Sequence, residues 1–192
     1  MALTFNGSTN TIAGLAVGGL PDGTVDHDML AAGVNTITEV DMWQITAHFD
    51  SGNTTMTSNF SRCGDIPFEK IGTGMSESSG VFTFPSTGKW RIEFSAAAMK
   101  ASYPRRYITG HILTTQDNSN YEDTYFAYTS TEDVGTDNVY AVSHGKTIFD
   151  VTDTSTHKVK FKVTSDGAVT WLSDSTDGIP YTYMVFTRLG DT

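Results

Sequence analysis

The amino-acid sequence predicts an all-β chain, an antiparallel β-sandwich preceded by an extended N-terminal arm. Three observations lead there. Stretches in which apolar and polar residues alternate recur along the chain, and a period of two sends one set of side chains to a core and the other to water. Turn signals built from Gly, Pro, Asn and Asp keep arriving every ~8–12 residues, the spacing of a sandwich or barrel. Composition agrees: of 192 residues 38% are hydrophobic and 11% aromatic, and 18 glycines against only 12 lysines and arginines suit many turns and few surface helices.

Residues 1–35 hold six glycines and no lasting period, so they cannot build a core of their own. Leu3, Phe5, Ile12, Leu15, Val17 and Leu20 are isolated apolar residues in need of pockets, which predicts an anchoring arm that orders against a partner. Residues 26–33 suit one helical turn, capped by an Asp and stopped by Gly33. Residues 36–65 are expected to be connecting strands or a first hairpin. Here Trp43, Ile45, Ala47 and Phe49 alternate with Met42, Gln44, Thr46 and His48 to line one face of a strand. Asp50-Ser51-Gly52-Asn53 then turns, 54–60 is a polar partner strand, and Arg62-Cys63-Gly64-Asp65-Ile66-Pro67 is a break.

The main domain is expected over 66–192, anchored by residues 80–96. Val81, Phe82 and Phe84 lead into Pro85-Ser86-Thr87-Gly88. Trp90, Ile92, Phe94 and Ala96 then alternate with Lys89, Arg91, Glu93 and Ser95, which reads as a hairpin with one apolar face. Further strands are expected over 107–115, 121–129, 139–143 and 148–151, with polar loops at 116–122 and 131–138. Val159, Phe161 and Val163 alternate with Lys158, Lys160 and Lys162, whose ammonium groups must meet water or carboxylates. Asp166-Gly167 turns into 169–172, and 181–189 closes the chain. That last strand is apolar on both faces, since Tyr181, Tyr183 and Val185 alternate with Met184 and Phe186. The sandwich covers one set, and the other set needs a subunit interface.

The pattern Gly80-x-Phe82-x-x-Pro85-x-x-Gly88-x-Trp90-x-Ile92-x-Phe94 resembles the early hairpin of C1q/TNF-like jelly rolls, with Trp90 where that family usually has Tyr or Phe. The likeness covers roughly 66–192. It implies a jelly roll that assembles as a homotrimer through aromatic faces, which puts Tyr181, Tyr183, Met184 and Phe186 at the interface. A second resemblance lies at the front. Met1-Ala2-Leu3-Thr4-Phe5-Asn6-Gly7 and Gly19-Leu20-Pro21-Asp22-Gly23-Thr24-Val25-x-x-Asp28-Met29-Leu30-Ala31 resemble N-terminal segments of marine bacteriophage tail-fibre and other virion structural proteins. In that group such a segment attaches an appendage to the particle.

The formal net charge of −10 argues against a phosphate backbone as partner, and a membrane surface is not expected either. The charge is uneven. No Lys or Arg occurs before Arg62, and seven carboxylates precede Ile66, so the N-terminal third stands at about −6 and the rest at about −4. An acidic arm would complement a basic groove on a neighbouring subunit; a solvated acidic surface accounts for the charge equally well. Cys63 stands alone, which excludes an intrachain disulfide. The first residues show no basic segment followed by an apolar block, and no stretch approaches ~20 apolar residues, so neither a signal peptide nor a spanning helix is expected. Synthesis in a host cytoplasm and residence on the virion follow as expectations. The Asn-x-Ser/Thr triplets at Asn6, Asn53 and Asn59 are expected to stay unmodified.

No enzyme is expected. His27, His48, His111, His144 and His157 lack the short spacings of a metal site and read as ordinary polar residues. Ser143 and His144 are adjacent in a strand and point to opposite faces, and Cys63 in its Gly/Asp/Pro turn reads as an idle thiol. The oxygen-rich stretches 117–123 and 132–138 do not match the Asp-x-Asp-x-Asp-Gly loop. Ca²⁺ is the one cofactor they bring to mind, and no cofactor is predicted. The expected function is a phage virion structural protein: an N-terminally anchored trimeric knob, acting as a short tail or head fibre or as a capsid decoration protein. Its partners would be itself, other virion proteins through residues 1–35, and a host surface glycan at host attachment. The alternative is a soluble carbohydrate-binding, lectin-like module with its site in loops 116–123, 131–138 and 173–180; Asp117, Asn118, Asn120, Asp174 and Asp177 mark the possible receptor loops, and Asp174, Asp177 and Tyr181 would be the sugar contacts.

Overall fold

The computed structural model describes residues 4–6, 11–13, 37–63, 70–101, 103–173 and 179–192, the two short N-terminal pieces by their backbone only. The chain divides into two units, Met1–Thr36 and Ile37–Thr192. In the first, β1 (Thr4–Asn6) and β2 (Thr11–Ala13) form a small antiparallel ladder in which Phe5 and Ile12 are partners. The helical turn expected at 26–33 lies outside the described residues.

The second unit is a two-layered antiparallel sandwich. Its strands are β3 (Val40–Ile45), β4 (Phe49–Thr55), β5 (Phe60–Arg62), β6 (Ser76–Ser78), β7 (Val81–Thr83), β8 (Gly88–Ala101), β9 (Ile108–Thr115), β10 (Glu122–Thr129), β11 (Asn138–Val151), β12 (Lys158–Trp171) and β13 (Tyr183–Gly190). One layer runs β5-β3-β13-β8-β11. The other runs β10-β9-β12, with β4 and β7 sharing the far edge of β12 and β6 outside β7. The layers join at one corner, where Thr170 and Trp171 pair with Met99 and Ala98.

The core between them is aromatic. Phe82 from the second layer meets Trp43, Phe60, Phe161 and Phe186 at ring distances of 5.3, 5.1, 5.5 and 5.4 Å, largely edge-on, the geometry that ring quadrupoles favour. Phe94 and Phe161 meet across the layers at 4.9 Å.

Three expectations are corrected here. Residues 81–83 and 88–101 are not a hairpin: β7 pairs with β6 and β12, and β8 with β11 and β13. The turn at 85–87 instead carries the chain from one layer to the other, so the two aromatic stretches bury their faces against each other, with Phe84 and Trp90 5.2 Å apart. Residues 36–65, expected as connecting strands or a first hairpin, do not pair β3 with β4: β3 joins β13 and β5 in one layer and β4 joins β12 in the other, and the compact unit begins at Ile37. The chain turns at 46–48, so β3 and β4 part into opposite layers and Phe49 stacks on Trp171 at 6.5 Å. Finally, 139–143 and 148–151 are one strand, β11, paired with β8 along its whole length, and 158–172 is essentially one strand, β12, whose Asp166-Gly167 is absorbed in a bulge between Thr164 and Val169.

Two carboxylates of the acidic N-terminal third serve this scaffold. Glu39 accepts hydrogen bonds from the backbone of Thr73 and Gly74 at 3.1 and 2.9 Å. Asp41, 1% exposed, accepts from Met75 N at 2.7 Å, Trp43 Nε1 at 2.8 Å, and Arg62 Nε and Nη2 at 2.7 and 3.0 Å. A buried carboxylate needs such a full set of donors. These two charges therefore dock residues 73–75 on β3 and are not offered to a partner.

Candidate functional site

The closing strand separates its two apolar sets cleanly. Met184 and Phe186 are fully buried in the chain's own core, against Phe82 and Phe161, so the expectation that they face a neighbouring subunit is overturned. Tyr183 and Val185 lie half-buried on the opposite face, and Tyr181, just before the strand, is 47% exposed.

Register extends that outer face across the layer. Tyr183 is opposite Ser95 of β8, and β8 in turn sets Ala97 opposite Val142 and Met99 opposite Tyr140 of β11. Tyr140 is 64% and Val142 53% exposed. With Tyr181, Ala97, Met99 and Leu172 they border a groove of about 590 Å³. At the other end the same face turns charged, with Arg91 and Glu93 paired on β8. Sequence reasoning missed Tyr140 and Val142. The signal was the small residues that alternate with them: Ala141, Ser143 and Gly145 face inward, where β11 crosses close to the second layer, and so send the large residues outward.

The expected receptor loop is brought together, but for a structural end. The Asp117 carboxylate accepts from Thr115 Oγ1 at 2.8 Å, Ser119 N at 2.9 Å, Asn120 N at 2.7 Å and Asn120 Nδ2 at 2.6 Å. The Asn120 bonds, backbone first, and then those from Thr115 and Ser119 hold its carboxyl far below the usual range. Asn118 occupies the left-handed region at φ 57°, as the tight turn demands. Asp117 and Asn120 do border a polar cleft of about 520 Å³ with Thr114, Gln116 and Glu122, yet any cation or sugar there competes with four internal donors. In the neighbouring loop Asp133 likewise accepts from Gly135 N of its own turn. Among the described residues no three His, Cys, Asp or Glu side chains gather as a metal site. Asp174, Asp177, Leu3, Leu15, Val17 and Leu20 lie outside the described residues, and Phe5 and Ile12 are placed only as ladder partners.

The nucleophile candidates are buried. Burial first, and the Asp41 charge second, push the Cys63 thiol up to about 11, so it stays protonated at neutral pH. Ser143 donates to Ala127 O at 2.8 Å and accepts from Gly110 N at 2.9 Å. His111, read in the sequence as ordinary, is tied into a chain: Nδ1 lies 2.9 Å from Asp123 Oδ1 and Nε2 lies 2.9 Å from Thr109 Oγ1. The order carboxylate, imidazole, hydroxyl is that of a hydrolase relay. Thr109, however, is 1% exposed, and its hydroxyl is also engaged by Thr164, so the chain positions side chains and presents no nucleophile.

No family model matches the chain, and no curated protein does. Solved structures share its fold. The chain is similar to Eiger TNF from S. frugiperda with a TM-score of 0.62 at 9% identity, over 82% of this chain and 96% of that one. It is similar to murine APRIL with a TM-score of 0.55 at 9% identity, over 79% of this chain and 98% of that one. The likeness is one of fold, and it bears out the all-β TNF/C1q-like jelly roll expected from the residues around Trp90.

Proposed function

We propose that the jelly roll is a self-assembling knob: a homotrimer in which Tyr140, Val142 and Tyr181 of one copy pack against neighbouring copies while residues 1–35 attach the assembly to a larger particle. The observation that carries this reading is the apolar end of the outer sheet face, where large side chains stand exposed beside a groove of about 590 Å³. Exposed apolar surface of this kind marks an interaction site, and aromatic residues supply much of interface energy. The fold likeness and the resemblance to trimeric C1q/TNF-like domains support three copies over two. The resemblance of residues 1–31 to virion proteins supports a bacteriophage particle as the attachment point. The knob is then a short tail or head fibre, or a capsid decoration protein, made in the host cytoplasm, carried on the virion and free to meet a host surface. It is a binding and structural part, in keeping with the buried hydroxyl of Thr109 and thiol of Cys63.

Sedimentation velocity with native mass spectrometry tests the assembly. Three copies of 20.8 kDa give a species of about 62 kDa, and Val142→Glu, which sets a charge in the proposed interface, is expected to return it to a monomer. A wild-type chain that stays monomeric at micromolar concentration overturns the proposal. Attachment is tested by proteolysis of residues 1–35, expected to be cut in isolated protein and protected in purified particles.

A further inference from the structure

The second layer also has an outer face, and register builds it in two rows across four strands. Phe126, His111, Lys162 and Thr55 form one row, and Tyr128, Thr109, Thr164 and Asn53 the next, on β10, β9, β12 and β4 in turn. The intervening residues Ile108, Ile112, Phe161 and Val163 enter the core, so these rows point away from it. A groove of about 430 Å³ lies over the second row, bounded by Tyr107, Tyr128, Lys162 and Asn53.

Its wall is aromatic and rigid. Tyr128 is 70% exposed and meets Tyr107 edge-on at 6.2 Å and Phe126 edge-on at 5.5 Å, while Phe126 stacks on His111 at 5.3 Å. Its floor is Thr164, whose hydroxyl is held in place by the buried Thr109 beneath it and by His111, which Asp123 orients from the next strand. An open aromatic ring beside a fixed hydroxyl is matched to a pyranose, which has an apolar face of C–H groups and a rim of hydroxyls.

The groove also holds an uncommitted cation. On the same strand face Lys158 donates to Thr154 O at 2.6 Å and Lys160 lies 3.9 Å from the centre of the Tyr121 ring, and nearby Arg106 pairs with Asp166 at 3.0 Å. Lys162 is half-buried and has no hydrogen bond or ion pair among the described residues. Nor do the Tyr107 and Tyr128 hydroxyls or the Asn53 side-chain amide among the described residues. A partly desolvated ammonium without a partner gains from a bound anion. A single cation lining the groove, in a chain of net charge −10, suits a singly charged ligand and repels a polyanion.

We infer that this groove is a carbohydrate subsite for a saccharide bearing one carboxylate, with the sugar ring against Tyr128 and the carboxylate on Lys162. It lies on the layer opposite the proposed assembly face, so it stands or falls separately from the trimer. It also moves sugar recognition off the loops at 116–123 and onto a sheet.

The test is an NMR titration of the ¹⁵N-labelled full chain with 3′-sialyllactose, with a disaccharide ending in glucuronate, and with lactose. Saturable amide shifts confined to 107–111, 126–128 and 162–164 are expected with at least one acidic probe, and lactose should bind at least tenfold more weakly. Shifts with the sialyl probe alone assign a nine-carbon acid, with the glucuronate probe alone a hexuronate, and with both the shared chemistry. Lys162→Met is expected to remove the tenfold preference for acid, and Tyr128→Ala to weaken the acidic probe at least tenfold. Tyr128 is exposed and its hydroxyl is unbonded, so that variant keeps the fold, checked by an otherwise unchanged amide spectrum. Absence of saturable shifts, equal affinity for lactose, shifts elsewhere on the surface, or full binding by Tyr128→Ala each overturn the inference.

Discussion

Asp117 shows how a single carboxylate can be conspicuous in the sequence and still be fully employed by its own turn. It lies among Asn and Ser residues where a sugar or cation site would be sought, but four donors within residues 115–120 converge on it. A carboxyl held below its unfolded value stabilises the fold in full above that value, ~3.9, and loses the contribution as pH falls through the lower folded one. The depressed value of Asp117 therefore keeps the turn closed through mild acid. In ¹³C spectra its carboxyl signal should stay flat from pH 7 down to about pH 3, where ordinary carboxylates have already turned over. A midpoint near ~3.9 would show that the four bonds do not hold in solution. Glu39 and Asp41 teach the same lesson, since charges that read as an acidic surface in the sequence are bonded to the backbone of 73–75.

At the scale of one strand, Gly145 decides how closely β11 approaches the second layer. It sits mid-strand opposite Phe94, and a Cβ built there would fall 1.5 Å from Tyr125 Cε1, while the Tyr125 hydroxyl donates to His144 O at 3.3 Å. Gly145→Ala must displace the ring or open the pairing, which costs about 1–3 kcal/mol as overpacking. Urea unfolding measures the loss. Adding Tyr125→Ala should make the two losses less than additive, because the clash is gone, and strict additivity would count against this packing. The same glycine explains what the sequence revealed and what it hid. Alternation identified β8, β12 and β13 and their inward residues Trp90, Phe161 and Val163, because periodicity is local. It ended one strand at Ser143, short of Gly145, and read Asp166-Gly167 as a turn, although both strands run on, because a glycine tolerated within a strand looks like one needed for a turn. Pairing is not local at all. Nothing in residues 80–96 says that Phe82 lies opposite Trp90's layer, and nothing links His111 to Asp123, twelve residues apart and joined only by the register of β9 and β10. The doubly apolar β13 was undecidable for the same reason: Met184 and Phe186 turn inward because Phe82 and Phe161 wait in the other layer.

For the whole molecule, the proposed assembly ties stability to concentration and salt. Copies that each carry a formal charge of −10 repel, and the apolar end of the β11-β8-β13 face must overcome that repulsion when they meet. A species that is folded and associated, in equilibrium with unfolded single chains, gains stability with concentration by mass action. For three chains a tenfold rise supplies twice the ~1.4 kcal/mol of one decade to the trimer, or about 0.9 kcal/mol per chain. For a chain of this size that raises Tm by ~2–4 °C per decade of concentration. Added salt shortens the range of the repulsion and should raise Tm further at fixed concentration. Val142→Glu removes the apolar gain and adds charge to the interface, so its Tm should be lower at every concentration and no longer depend on it. Scanning calorimetry across two decades of concentration reads all three effects at once; a wild-type Tm that stays level across that range would mean that Tyr140, Val142 and Tyr181 face water and not another copy.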